Sequence, residues 1–124
     1  MASSWARRLL AVGLMGAMLV VVPGIANAGR VKIKANCTGG CHWAPSFVKV
    51  AKGTKIVWKN PTNVFHDVKS YKGHWLRRRD LPPGATTHKR LRRHGVYFFR
   101  CTIHSTLVNG VCSGMCGKIK VRRG

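Results

Sequence analysis

The chain contains no glutamate and only two aspartates, Asp67 and Asp80, against 23 lysines and arginines. Paired-carboxylate acid–base or hydrolytic chemistry cannot be built from that set. Nor can a catalytic triad be assembled from two Asp and no Glu, so the sequence does not read as an enzyme. Long helical periods, internal repeats and low-complexity tracts are absent, which excludes helical bundles and repeat arrays. Basic residues cluster in Arg77-Arg78-Arg79, His88-Lys89-Arg90, Arg92-Arg93-His94 and Arg122-Arg123, yet no helix or RNA-platform motif of a nucleic-acid binder accompanies them. An acidic protein, anionic lipid headgroups or an anionic wall polymer therefore rank above nucleic acid as partners, and a solvated basic surface without a dedicated partner is the plainer alternative.

The first 28 residues differ from the rest. Arg7 and Arg8 precede an apolar run from Leu9 to Val22, and Ala26-Asn27-Ala28 has the small-x-small form of a cleavage site. This pattern predicts an export signal removed before Gly29, leaving one small domain over residues 29–124 in the periplasm, cell envelope or extracellular space. The apolar run is short for a spanning helix, and the paired arginines leave both general and twin-arginine export open. Loss of Arg7 and Arg8 lowers the formal charge from +21 by two, to +19.

Short β-rich runs fill the remainder. Val31–Ala35 and Phe47–Ala51 alternate apolar and basic residues, Lys55–Lys59 follows the turn Lys52-Gly53-Thr54, Val96–Cys101 follows Gly95, and Lys118–Val121 alternates again. Several such strands with regular turns predict an all-β sandwich or barrel. Tyr71 to Asp80 reads as irregular and exposed, and Pro82-Pro83-Gly84 as a loop. Trp58 and Phe99 are expected in the core, with Tyr97 burying its ring and tying its hydroxyl to nearby backbone.

Chemistry concentrates near the end. Cys101-Thr102-Ile103-His104 is followed by a loop reaching Met115, and His66 lies well upstream in Asn63-Val64-Phe65-His66-Asp67-Val68. Two imidazoles, one thiolate and one thioether are the donors of a blue-copper site: a trigonal N₂S plane with a weak axial sulfur, which suits both Cu(I) and Cu(II). Zinc accepts the same nitrogen and thiolate donors, but the methionine favours copper.

These motifs resemble the plastocyanin and azurin-like cupredoxins. Lys52–Asn60 is similar to that family's glycine turn and following strand, His66-Asp67-Val68 to its first ligand, Gly95–Cys101 to its ligand-bearing strand, and Gly114–Val121 to its ending. The resemblance spans roughly Ser46 to Val121. It implies a Greek-key β-sandwich with one copper ion at one end, His66, Cys101 and His104 as equatorial ligands, Met115 as the axial one, and His104 as the edge through which a single electron passes. The sequence departs from plastocyanins in the ten residues, Ser105 to Gly114, between the second histidine and the methionine.

Four further cysteines, Cys37, Cys41, Cys112 and Cys116, suggest two disulfides in an exported domain. In the cupredoxin arrangement the loop after the first strand and the ligand loop share one end, so the expectation is that Cys37 and Cys41 cross-link to Cys112 and Cys116. Cys37-Thr38-Gly39-Gly40-Cys41-His42 also resembles a c-type haem attachment, with one residue too many. His42, His74, His88 and His94 read as surface residues.

The leading expectation is an exported, monomeric type 1 copper protein that passes single electrons between larger partners, one of them an acidic redox protein. Copper carriage, buffering or delivery is the alternative, although residues 29–124 hold only Met115 and no histidine tract. A structural polycation is a third.

Overall fold

Alternation between apolar and basic residues sets the strands of the computed structural model, which describes residues 29–124. The expected export signal lies outside the described residues. In β1 (Arg30–Asn36), Ile33 and Ala35 are buried while Arg30, Lys32 and Lys34 face solvent. Next come β2 (His42–Ala44), β3 (Phe47–Val50), β4 (Thr54–Lys59), β5 (His66–Tyr71), β6 (Arg79–Leu81), β7 (Thr86–Leu91), β8 (Gly95–Val108) and β9 (Val111–Val121). Among the described residues there is no helix.

Two mixed sheets form, ordered β2-β1-β4-β7 and β3-β9-β8-β5-β6. β1 runs parallel to β4 and β3 parallel to β9, while the other pairs are antiparallel. The expected all-β sandwich is therefore what forms, as one small domain. Trp43, Ile33, Ile56 and Trp58 from one sheet meet Val68, Phe99 and Ile119 from the other in a single core. Each such large apolar side chain contributes about 1.5–3 kcal/mol by leaving water.

Phe99 is the pivot of that core. Its ring meets Trp43 and Trp58 edge-on, with centroids 5.8 and 5.4 Å away. Across the ladder from Phe99 stands Gly117, where a Cβ would lie 2.1 Å from the ring. Only a residue without a side chain lets the phenyl group lie against β9. Tyr97 behaves as expected: its hydroxyl donates to the Arg93 carbonyl at 2.7 Å, and its ring packs edge-on against Trp75.

One expectation needs correction. Tyr71 to Asp80 is not uniformly irregular and exposed. Tyr71 closes β5, Leu76 is buried in the core, Trp75 is half-buried against Trp58, and Arg79-Asp80 opens β6. The Ser70 hydroxyl donates to the carbonyls of Gly73 and Leu76, which folds the segment back over the sandwich. Strand β7 was not apparent in sequence because Thr86–Leu91 carries no apolar alternation and gains its order from pairing with β4.

Candidate metal centre

A gap in the β8–β9 ladder creates the site. Pairing runs from Gly95 opposite Val121 to Arg100 opposite Cys116, stops, and resumes from Ser105 opposite Gly114 to Val108 opposite Val111. Within the gap, Cys101 to His104 face Met115 alone. The Ser105 hydroxyl donates to the Cys101 carbonyl and accepts from the Arg100 guanidinium at 3.0 Å, which closes the bulge behind Cys101 and His104.

The ten residues from Ser105 to Gly114 are not an open loop. They form a two-stranded ribbon turned by Asn109 and Gly110, at φ 50° and 75°. Positive φ at both central positions is the signature of a hairpin turn that matches strand twist. Since the ribbon returns to its starting point, Met115 re-enters the sandwich beside the segment that His104 leaves. Gly114, at φ +93°, makes the re-entry bend, and a Cβ there would lie 2.6 Å from the His104 carbonyl oxygen.

The four residues expected as ligands come to one end of the sandwich. His66 enters on β5 and Cys101 on β8, both buried. His104 is half-buried and Met115 is buried opposite the gap. The Nδ1 atoms of His66 and His104 are 3.1 Å apart, and the Cys101 Sγ lies 3.7 Å from the first and 3.5 Å from the second. Donors at the corners of such a triangle can share one ion at about 2 Å, the length of ordinary metal–nitrogen and metal–thiolate bonds.

Hydrogen bonds fix the rings and the sulfur. The Thr62 hydroxyl donates to Asn60 Oδ1 at 2.6 Å, which leaves its oxygen free to accept from His66 Nε2 at 3.1 Å. A proton on Nε2 leaves Nδ1 bare and facing Cys101 and His104. Asn60 is held in turn, donating to the carbonyls of Val64 and Leu81 at 2.7 and 2.9 Å. Supporting groups of this kind orient a metal-binding imidazole and choose its tautomer. The Asp67 amide, next to His66 on β5, donates toward Cys101 Sγ on β8 at 3.5 Å.

Buried Asp67 joins β5 and β8. Its carboxylate accepts from the Thr102 amide at 2.6 Å, from the Thr102 hydroxyl, and from the Arg78 guanidinium at 2.6 Å. Burial pushes this carboxyl up, but the Thr102 bonds and Arg78 together outweigh it and hold Asp67 below the usual carboxylate range. Burial pushes His66 down, His104 adds to the effect and Asp67 opposes it. The Cys101 thiol is pushed up by burial, against amide hydrogen bonds from Asp67, His104 and Ile103. Without a metal the sulfur keeps its proton at neutral pH, and a metal must displace that proton to bind.

No known family model matches the sequence, and no curated protein matches it. Solved structures do match. A purple cupredoxin from Nitrosopumilus maritimus superposes with a TM-score of 0.59 at 22% identity, covering 74% of this chain and 99% of that one. A reduced amicyanin variant gives 0.59 at 15% identity, over 80% of this chain and 87% of that one. Pseudoazurin from Methylobacterium extorquens gives 0.55 at 22%, over 74% of each. This chain has the cupredoxin fold. A copper-containing nitrite reductase from Thermus scotoductus also matches, with a TM-score of 0.59 at 18% identity, but this chain spans only 23% of its length.

Within the cupredoxin fold, the disulfides differ from expectation. The bonds are Cys37–Cys41 and Cys112–Cys116, not cross-links between the two segments. The reason lies in local backbone. Gly39 and Gly40, at φ 70° and 103°, turn the chain so that Cys37 meets Cys41. In a straight strand residues four apart would be about 13 Å apart, but the bend at Gly114 brings the Cα atoms of Cys112 and Cys116 to 6.2 Å. Loops this short give about 2 kcal/mol each in the chain-entropy account, the low end of the usual range. The placement of the first segment was nonetheless right: Cys37 Sγ lies 3.5 Å from His66 Nε2.

Asn60, Thr62, Asp67 and Thr102 were not singled out as site residues from sequence. A turn at Asn60-Pro61-Thr62 just ahead of His66, and the scarcity of acids that makes Asp67 conspicuous, were the available signals. His42, His74, His88 and His94 are all exposed, as expected.

Proposed function

We propose that this chain is a type 1 copper protein that carries single electrons. The observation that supports it is the triangle of His66 Nδ1, His104 Nδ1 and Cys101 Sγ with edges of 3.1, 3.5 and 3.7 Å, with buried Met115 opposite the gap in the β8–β9 ladder that holds Cys101 and His104. This donor set fits copper, since nitrogen, thiolate and weak thioether together suit both of its oxidation states. Bound copper would supply reversible one-electron chemistry.

The protein's own part is to hold the donors still. His66 is fixed by Thr62, Cys101 lies on a strand locked to β5 by Asp67 and Thr102, and Met115 is clamped by the ribbon and the Cys112–Cys116 bond. Little can move when the charge on the site changes, which keeps the cost of reorganisation low. His104 alone among the donors reaches partial exposure, so it is the residue through which an electron would enter or leave. Exposed Phe65 and Ile103 directly precede the two histidines, and Leu107, Val108 and Val111 stand exposed on the ribbon. This apolar surface is where a redox partner would exclude water around the His104 edge. The positive charge of the chain would speed its encounter with an acidic partner, at a rate that falls with added salt.

Voltammetry with metal analysis separates carriage of electrons from delivery of copper. The electron-carrier reading predicts repeated Cu(II)/Cu(I) cycling with metal content unchanged. Loss of copper to a chelator upon reduction would contradict it and favour delivery.

A further inference from the structure

The outer face of the four-stranded sheet carries like charges in register. Arg30 pairs with Lys55, and Lys55 pairs with Arg90, so three cations stand side by side across β1, β4 and β7. Toward the metal end, Lys34 pairs with Lys59 in the same manner, and between these rows lie exposed Lys32 and His88. Like charges directly opposite one another on neighbouring strands destabilise a sheet. No acid relieves them. Asp67 is buried against Thr102 and Arg78, and Asp80 faces Arg78 at 3.3 Å, so both carboxylates are engaged elsewhere.

The charged face runs into a groove at the edge of the sandwich. β7 is the edge of one sheet and β6 the edge of the other, and the two strands touch. There Lys55, Arg79, His88, Lys89, Arg90 and Arg92 line a depression of about 400 Å³. Arg90 is set in place by donating to the Gly53 carbonyl at 2.6 Å. A fold that keeps this many unpaired cations around one concavity holds favourable free energy in reserve for a multivalent anion.

We infer that this groove binds a linear polyanion bearing phosphate groups. Its concavity selects a polymer chain over a membrane: a strand of polymer can lie between Arg79 on one side and Lys55 and Arg90 on the other, whereas a planar headgroup layer cannot enter. The large exposed apolar side chains that would help insertion, Phe47, Phe65, Ile103, Leu107, Val108 and Val111, do not line this groove. The Arg30–Lys55–Arg90 row lies at the end of the sheet away from Asn36 and Asn60, hence away from His66. A bound polymer would thus hold the protein by one flank and leave the His104 end free.

Long-chain inorganic polyphosphate is the probe, titrated against the full folded chain at several salt concentrations. The variant K55Q/R90Q/R92Q is compared with K49Q/K118Q/K120Q, which removes equal charge from the outer face of the other sheet. The groove variant is expected to bind about tenfold or more weakly, with a shallower dependence of log K on log salt, while the control changes little. Because the groove variant also removes the Lys55–Arg90 clash, it is expected to melt higher at low salt, so weaker binding cannot be ascribed to unfolding. Equal losses in both variants would show attraction by net charge alone and overturn the assignment. So would binding to vesicles of equal phosphatidylglycerol and phosphatidylcholine as tightly as to polyphosphate, with the same sensitivity to the groove variant.

Discussion

Gly114 stands directly across the β8–β9 ladder from Ser105. Through that pairing the ten-residue connection between His104 and Met115 folds away as a ribbon, and the methionine returns to the site as though the connection were short. The bend depends on a residue without a Cβ, because the His104 carbonyl occupies the space.

Gly114→Ala is therefore expected to cost about 1–3 kcal/mol from the strained backbone and the clash together. Gly110→Ala, at φ +75° but in open space, meets only the conformational penalty and should cost less. Denaturant unfolding of the metal-free proteins measures both. Equal losses would mean that the His104 contact is not what constrains this position.

Thr62→Val keeps the shape of the side chain but removes the acceptor for His66 Nε2. Copper affinity is expected to fall by about 10–100-fold, the usual effect of losing a group that orients a ligand histidine. Competition against a chromophoric chelator reads this directly. Unchanged affinity would show that the imidazole is held by packing against Trp43 and not by the Asn60–Thr62 chain.

Gly117→Ala drives a methyl group into the Phe99 ring, which cannot retreat because Trp43 and Trp58 enclose it. A loss of about 1–3 kcal/mol, or more if the ring cannot tilt, is expected. Gly117→Ala combined with Phe99→Leu should recover part of that loss, measured as a double-mutant cycle in thermal unfolding.

Acid stability should depend on Asp67. Its carboxyl is held below its unfolded value, which is about 3.9. The unfolded chain then binds more protons in the interval between the two values, so stability rises with pH there. The contribution is full above the unfolded value and disappears as pH falls through the folded one. Asp67→Asn should flatten the acid limb of a stability curve for the metal-free protein. A limb of the same slope in the variant would place the acid sensitivity elsewhere.

Much of this was legible in the residues because the chemistry is local. Cys101 and His104 are three apart on one strand end, and alternation in β1, β3 and β9 marks buried faces without reference to the rest of the chain. The Asn109-Gly110 turn is also written in the sequence, as a hairpin signal between Val108 and Val111, but the ribbon it makes has no apolar alternation on both arms to mark it. Disulfide partners were not legible. They depend on positive φ at Gly39, Gly40 and Gly114, and four cysteines alone are compatible with any pairing. The clamp by Asp67 and the cation rows across β1, β4 and β7 require strand register, which emerges only once β5 meets β8 and β7 meets β4.

His66, Cys101, His104 and Met115 are proposed to form one type 1 copper site. Optical and electron paramagnetic resonance spectra of the disulfide-intact protein after Cu(II) addition, recorded beside Cys101→Ser, test it most directly. The wild type is expected to show an intense visible thiolate-to-copper band with narrow copper hyperfine splitting, and the variant to lose both. A pale, ordinary Cu(II) spectrum that is the same in both proteins would contradict it.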